Sequence, residues 1–444
     1  MKRSRADNLK RLRRALMLLT VVLSAILVAA GPSSAGAQSQ TAAQPQATSA
    51  GLVMADAQLV APAIGSRVAN LGPLMLRWTS TEAATGDWEV QVSGDGRFDL
   101  DPATATSPVQ TGMVREPAWP LAAVEPCRAY FWRVRLTMAD GSAPGAWSPT
   151  WSFSSPGSGP VASKIAFIYH YQGVPVGERP PSYDELYVMN ADGTGRTPLA
   201  MADRYAPSWS PDGCIAFSRG DTLYTIAAAG GDPSLLAAAQ GGFFGKTAWS
   251  PDGTRLAFAH APAPSGPSEI YVANADGTGM TQLTSCSGCD APAWSPNGQR
   301  IVFHGAEPGA AFTNLFVMSA DGSGLVRLNT AATAQVPGGD AEPVVSPDGI
   351  KVAFSSGRSG IVGVYVMNVD GTGLTALAAQ ENSDNPAWSA DGAQLLYHST
   401  RGGQHGGAVW AMDADGKNQR QISSLAALAV TLIEEGDSLP APSR

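Results

Sequence analysis

Five histidines (His170, His260, His304, His398 and His405) and four cysteines (Cys127, Cys214, Cys286 and Cys289) are the side chains of this 444-residue chain best suited to metal or redox chemistry. His304 and His398 directly follow Phe303 and Tyr397, and His260 and His170 lie one and two positions later in equivalent runs. Acids crowd the neighbouring segments: Asp203, Asp290, Asp340, Glu342 and Asp384, with Asp290 and Asp384 each four residues before a tryptophan. A rim built from His304, His398, His260, Asp290, Asp384 and Asp340 could bind a cation, an oligosaccharide or a basic peptide. The blander alternative is a solvated rim with scattered histidines. Cys286-Ser287-Gly288-Cys289 has C-x-x-C spacing, but zinc needs a second ligand pair and a thioredoxin-type site needs a helix at the first cysteine. A small loop disulfide between Cys286 and Cys289 is therefore expected, while Cys127 and Cys214 stay open. No G-x-S-x-G motif occurs, and no serine is paired by motif with His and Asp. No catalytic residue, metal or cofactor is expected.

These residues must be held by something, and the chain repeats itself. Trp209-Ser-Pro-Asp212-Gly213 recurs as Trp249-Ser-Pro-Asp252-Gly253 and Trp294-Ser-Pro-Asn297-Gly298, then as Val345-Ser-Pro-Asp348-Gly349 and Trp388-Ser-Ala-Asp391-Gly392. A period of roughly 40–50 residues belongs to blades of four-stranded sheet. The Trp-Ser strand comes first, Pro-Asp-Gly turns the chain, and a second apolar strand such as Ile301-Val302-Phe303 follows. A third strand, a second Asp-Gly turn and a short fourth strand complete each copy. The middle strands are almost continuously apolar, as suits a sheet buried on both faces. Asn190-x-Asp192-Gly193-x-Gly195 resembles a fragment of a calcium loop but lacks the distal Glu, and turn chemistry explains the same residues. A partial first copy (Ile165-Ala166-Phe167, Leu186-Tyr187-Val188, Pro198-Leu199) lacks its innermost strand. Because exposed sheet edges are a liability, Leu428–Ile433 is expected to return and close a ring of six blades; a frayed C-terminal helix is the competing expectation.

The W-S-P-D-G copies resemble the TolB family and its WD40-like (PD40) propeller repeats. The resemblance implies a propeller over residues 164–424, although a β-rich segment stands where TolB has an α/β domain. That segment, 59–155, carries Trp78, then Val124-x-Pro126 and Tyr130-x-Trp132-x-Val134, and resembles a fibronectin type III sandwich with its tyrosine corner. Cys127 and Arg128 depart from the Gly and Thr common there. Some propellers, the oligogalacturonate lyases, hold a metal in a histidine cluster, and the histidine rim is the feature that points to them. The chain ends about 20 residues after its last blade strand, short of the roughly 200 of a peptidase's α/β domain; no peptidase is expected.

Composition and charge set the context. With 49 Gly, 33 Pro and 15% charged residues, many short strands are favoured over long helices. Seven basic residues precede the apolar run Ala15–Ala30, then Ala35-Gly36-Ala37, which is the order of a secretory signal over residues 1–37. The run is 16 residues long, short of a membrane span, so an exported protein, periplasmic or extracellular, is expected, with no transmembrane segment after cleavage. Residues 38–58 read as a flexible linker and 156–163 as a second one. Beyond the leader 22 basic side chains face 36 acidic ones, which disfavours nucleic acid. The sequence therefore predicts an all-β, exported, non-catalytic scaffold for a protein or glycan, with a metal-dependent polysaccharide lyase as the alternative.

Overall fold

A computed structural model of the chain describes residues 57–433, except 81–85, 99–108, 139, 141–142, 160–163, 173–181, 240, 264–265, 308, 329–338, 402–406 and 424–426. The leader over 1–37, the linker up to residue 56 and His405 lie outside the described residues, as does the tail beyond 433. Among the described residues every regular element is a strand, so none is a helix long enough to cross a membrane. The first strand, Ala57–Ala61, already occupies the end of the expected linker.

Two sheets form the first part. Ala57–Ala61, Leu74–Ser80 and Ala118–Leu121 make one; Ser66–Arg67, Trp151–Ser154, Ala129–Met138, Gly86–Ser93 and Gln110–Val114 make the other. In Ala129–Met138, Tyr130, Trp132, Val134 and Leu136 are buried while the residues between them are half exposed, the alternation of a sheet with one covered face. They share a core with Trp78, Trp88 and Phe153, and the Trp78 and Trp88 rings meet edge to face at 5.9 Å. The Tyr130 hydroxyl accepts the Glu125 N–H at 2.7 Å.

Six four-stranded antiparallel sheets follow among the described residues. In order from first to fourth strand, sheet 1 has Ala427–Ile433, Lys164–Gln172, Ser182–Asn190 and Thr197–Met201. Sheet 2 has Ser208–Trp209, Cys214–Arg219, Thr222–Ala227 and Ser234–Ala238. Sheet 3 has Phe243–Trp249, Arg255–Ala261, Glu269–Asn274 and Thr281–Gln282. Sheet 4 has Ser287–Trp294, Arg300–Ala306, Asn314–Ser319 and Val326–Arg327. Sheet 5 has Asp340–Val345, Lys351–Ser356, Gly363–Asn368 and Thr375–Ala378. Sheet 6 has Ser383–Trp388, Gln394–Ser399, Ala408–Asp413 and Arg420–Gln421.

The repeated residues explain the stacking. Phe217, Phe258, Phe303, Phe354 and Tyr397, third in each second-strand motif, pack against the preceding sheet. The residue before each, Ala216, Ala257, Val302, Ala353 or Leu396, packs against the following one. Phe167 of sheet 1 completes the series by meeting Leu396 and Val409 of sheet 6. First strands touch in the same succession from sheet 2 to sheet 6, and Ala427–Ile433 touches both its neighbours, in sheets 6 and 2. Trp294 and Trp388 donate their indole N–H to Ala248 O and Val344 O on the preceding first strand, at 3.0 and 3.3 Å.

The Ser and Asp of the repeated turns bond each other: Ser250 Oγ donates to Asp252 Oδ1 at 2.6 Å, and Ser389 to Asp391 equally. Gly277 and Gly371, in the second turns, have φ of +83° and +85°, and a Cβ on either would stand about 2 Å from a carbonyl of the preceding sheet, Leu236 O or Leu328 O. Glycine is required there twice over, by conformation and by space.

The two-sheet part is fastened to sheets 2 and 3. Cys127 and Cys214 form a disulfide. Arg67 forks onto Asp212 at 2.6 and 2.8 Å and lies over the Trp249 ring. Thr225 Oγ1 donates to Cys127 O at 2.8 Å. Pro156 and Gly157 are buried, and a Cβ on Gly157 would overlap Asp212 O. Burial raises the Asp212 carboxyl, but the hydrogen bond and charge of Arg67 outweigh it and hold the group below the usual carboxylate range.

Candidate functional site

The ends of the second strands and the starts of the first strands lie at one end of the sheets. Each first strand of sheets 4, 5 and 6 breaks register there, between Asp290 and Ala293, Ala341 and Val344, and Asp384 and Ala387. Within each irregularity one non-glycine residue is left-handed: Ala291 (φ +51°), Glu342 (+54°) and Asn385 (+51°). Such a kink re-aims side chains at a sheet edge, at a conformational cost of about 1–2 kcal/mol per residue. Each is followed by a proline (Pro292, Pro343, Pro386), which has no N–H for the interrupted ladder.

A chain of polar contacts links these kinks from sheet to sheet. The Lys246 N–H of sheet 3 donates to Asp290 Oδ1 of sheet 4 at 3.3 Å. The Glu342 N–H of sheet 5 donates to His304 Nδ1 of sheet 4 at 3.2 Å. The Asn385 N–H of sheet 6 donates to Glu342 Oε2 at 2.9 Å, where the Ser355 hydroxyl also donates at 2.8 Å. Asp384 then meets His398 Nδ1 at 2.7 Å. On the other side, His170 of sheet 1 meets Asp184 at 2.6 Å, and Arg204 approaches the same carboxylate at 3.8 Å.

The electrostatics join the two halves of this arc. Burial lowers the His304 pKa, against the pull of Asp290 and Glu342. Burial also raises the Asp203 carboxyl, and the negative charge of Asp184 adds to it. Tyr205 is raised by burial and then by the charges of Asp290 and Asp203. Asp184, Asp203, Asp290, Glu342 and Asp384 thus share a region whose cations include Lys246, Arg219 and Arg204.

Two residues that sequence register grouped with this rim are placed elsewhere. Asp340 is 2% exposed and is paired with Arg358 at 2.5 Å inside sheet 5, so it is not available at the rim. His260 stacks on Phe244 at 4.7 Å and its Nδ1 meets Phe243 O, so aromatic packing accounts for it. His398 is 8% exposed, with Nε2 against Gly407. Among the described residues one group could hold a metal, Glu269 with Cys286 and Cys289, and none of the histidines belongs to it. Cys286 and Cys289 are bonded to each other in this structure. Register named Asp290, Asp384, His304 and His398; it gave no role to Lys246 or Tyr205, although both occupy the same two positions before the blade tryptophans, where chemistry varies from copy to copy.

The PD40 family model, described as the TolB beta propeller domain, matches residues 157–427. TolB from Acinetobacter baumannii is 16% identical with a TM-score of 0.51, covering 70% of this chain and 81% of its own. A TolB-type protein from Agrobacterium tumefaciens is 20% identical with a TM-score of 0.47, covering 60% and 91%. An oligogalacturonate lyase from Vibrio parahaemolyticus is 11% identical with a TM-score of 0.37, covering 64% and 86%. At these identities the likeness is one of fold.

Proposed function

Because the chain belongs to the TolB β-propeller family, we propose that its six sheets are the six blades of a propeller closed by Ala427–Ile433, carrying an N-terminal fibronectin type III-like sandwich. The protein is an exported, non-catalytic binding scaffold whose channel mouth recognises a protein or glycan of the cell envelope or exterior. The observation that carries this reading is the arc of five carboxylates, Asp184, Asp203, Asp290, Glu342 and Asp384, against three cations, Lys246, Arg204 and Arg219. Fixed acids on rigid strands attract a cationic group with little ordering cost, so a basic protein segment is the favoured ligand. The histidines support the acids: His304 accepts the Glu342 N–H, and His398 lies against Asp384.

The test is fluorescence anisotropy of a labelled lysine-rich peptide against the purified mature protein, with a glutamate-rich peptide as control. Binding of the basic peptide should weaken with salt and fall about tenfold or more in Asp290→Asn with Glu342→Gln. Equal binding of both peptides, or no change in the double variant, refutes the reading. Tight stoichiometric Mn²⁺ or Zn²⁺ that is lost in His304→Ala with His398→Ala would instead support the polysaccharide lyase.

A further inference from the structure

Sheets 5 and 6 carry the same arginine in the same place but use it differently. In sheet 5, Asp340 stands opposite Ser356, and Arg358 lies two residues on, over Phe354 and Tyr365. In sheet 6, Ser383 stands opposite Ser399, and Arg401 lies two residues on, over Trp410. The register is the same, so Ser383 occupies the position of Asp340. Arg358 has a buried carboxylate at 2.5 Å and is 11% exposed. Arg401 has no such carboxylate; it is 44% exposed and reaches Glu381 at 3.7 Å and Gln419 at 2.8 Å, with the Tyr397 hydroxyl beside it.

Where the missing carboxylate would leave room, there is a cavity of about 320 Å³, lined by Glu381, Ser383, Tyr397, Ser399, Arg401 and Gln419 among others. A second exchange falls on the same spot. The aromatic that is Phe in sheets 1 to 5 (Phe167, Phe217, Phe258, Phe303, Phe354) is Tyr397 here. Tyr397 is 1% exposed, and its buried hydroxyl lies beside Arg401 without a well-aligned hydrogen bond, a costly group to bury for packing alone. Two differences from sheet 5, Ser383 for Asp340 and Tyr397 for Phe354, thus leave a guanidinium without a buried carboxylate and add hydroxyls around one cavity.

We propose that this cavity between sheets 5 and 6 binds a small hydroxycarboxylate, whose carboxylate takes on Arg401 the place that Asp340 takes on Arg358. The guanidinium fork suits a carboxylate. The Tyr397 hydroxyl can donate to or accept from a ligand hydroxyl, and Ser383 Oγ, which donates to Ser399 Oγ at 3.0 Å, can still accept, while Ser399 Oγ is held by Asn382 O at 3.2 Å. Glu381 is a half-exposed competitor at 3.7 Å, a weak pair that a better-placed ligand carboxylate displaces. A lone arginine gives too little positive charge for a polyphosphate.

Titration calorimetry with sodium D-gluconate, with D-glucose and sodium acetate as controls, tests the site. Gluconate should bind with a Kd of about 1 mM or tighter, and each control, lacking one half of the recognition, at least fivefold more weakly. Ser383→Asp rebuilds the sheet 5 pair and should lower affinity at least tenfold without lowering the melting temperature. Arg401→Gln, at a half-exposed position, should abolish binding. Tyr397→Phe should weaken it about fivefold, and Glu381→Gln should strengthen it. Absence of gluconate binding at 10-fold above that Kd, unchanged affinity in Ser383→Asp or Arg401→Gln, or weaker binding in Glu381→Gln overturns the proposal.

Discussion

Replacing both Cys127 and Cys214 by alanine should uncouple the N-terminal sheets from the ring. The disulfide joins residues 87 apart in sequence, a loop that includes the last strands of the first part, most of sheet 1 and the start of sheet 2. Closing a loop of that length removes about 4.6 kcal/mol of denatured-state entropy. Both cysteines are buried, at 3% and 0% exposed, so alanine also leaves a small void that adds to the loss. What remains at the junction includes the Thr225–Cys127 O hydrogen bond, the buried Pro156–Gly157 segment and the Arg67–Asp212 pair, 8% and 29% exposed, whose loss would cost about 2–3 kcal/mol. Urea unfolding followed by tryptophan fluorescence is suited to this, because Trp78, Trp88 and Trp132 report on one part and Trp249, Trp294 and Trp388 on the other. The double variant should lose about 4–5 kcal/mol and separate into two transitions, and adding Arg67→Ala should lower the first transition further. A loss below about 1 kcal/mol with a single unchanged transition would refute the view that the disulfide and the ion pair fuse the two parts into one unit.

Three other outcomes follow from the same structure. Ending the chain at Ser424 removes the strand paired with Lys164–Gln172 and exposes that edge; the variant should melt well below the full chain and aggregate, as light scattering would record. Gly277→Ala forces a Cβ to 2.0 Å from Leu236 O at a φ of +83°; calorimetry should show a loss of about 3 kcal/mol or more. His304 has its folded pKa below the unfolded value, so the unfolded chain binds its proton first as pH falls. Its contribution is therefore present above about pH 6.5 and drains as pH falls toward the lower folded value; His304→Gln should flatten stability between about pH 7 and 5 in denaturant titrations.

The repeat was legible because each of its residues has one local task. Pro-Asp-Gly sets a turn, the Ser before it bonds the Asp, and the apolar triplet behind it fills two interfaces at once, so type and spacing already imply the sheet. The rim was legible only in part. Register put Asp290 and Asp340 in the segments between blades, where the structure has both on first strands, and it could not say which way each side chain leans. That depends on the bulge beyond Asp290 and on Arg358 arriving from the second strand to take Asp340. The Cys127–Cys214 bond was invisible for another reason, since no local pattern ties residues 87 apart. One trace of it is in the backbone: Cys127 has a φ of +59°. A left-handed position normally reserved for glycine is held by a cysteine because the crosslink needs its sulfur.

Where six copies of a unit must stack, the conserved positions are consumed by stacking and cannot also discriminate ligands. Asp252, Asp348 and Asp391 are alike because each accepts the same serine hydroxyl and the same backbone N–H. Asp212 is the copy that does something else as well, and it does so where Arg67 meets it. Lys246 and Glu342 differ from one another three residues before Trp249 and Val345, Tyr205 stands four before Trp209, and they sit in the acidic arc. Ser383 and Tyr397 differ from Asp340 and Phe354, and they line the cavity between sheets 5 and 6. Recognition in this protein is therefore sought where one copy differs from its neighbour, and a substitution that gives sheet 6 the sheet 5 residue, such as Ser383→Asp or Tyr397→Phe, should cost binding while leaving the sheets intact.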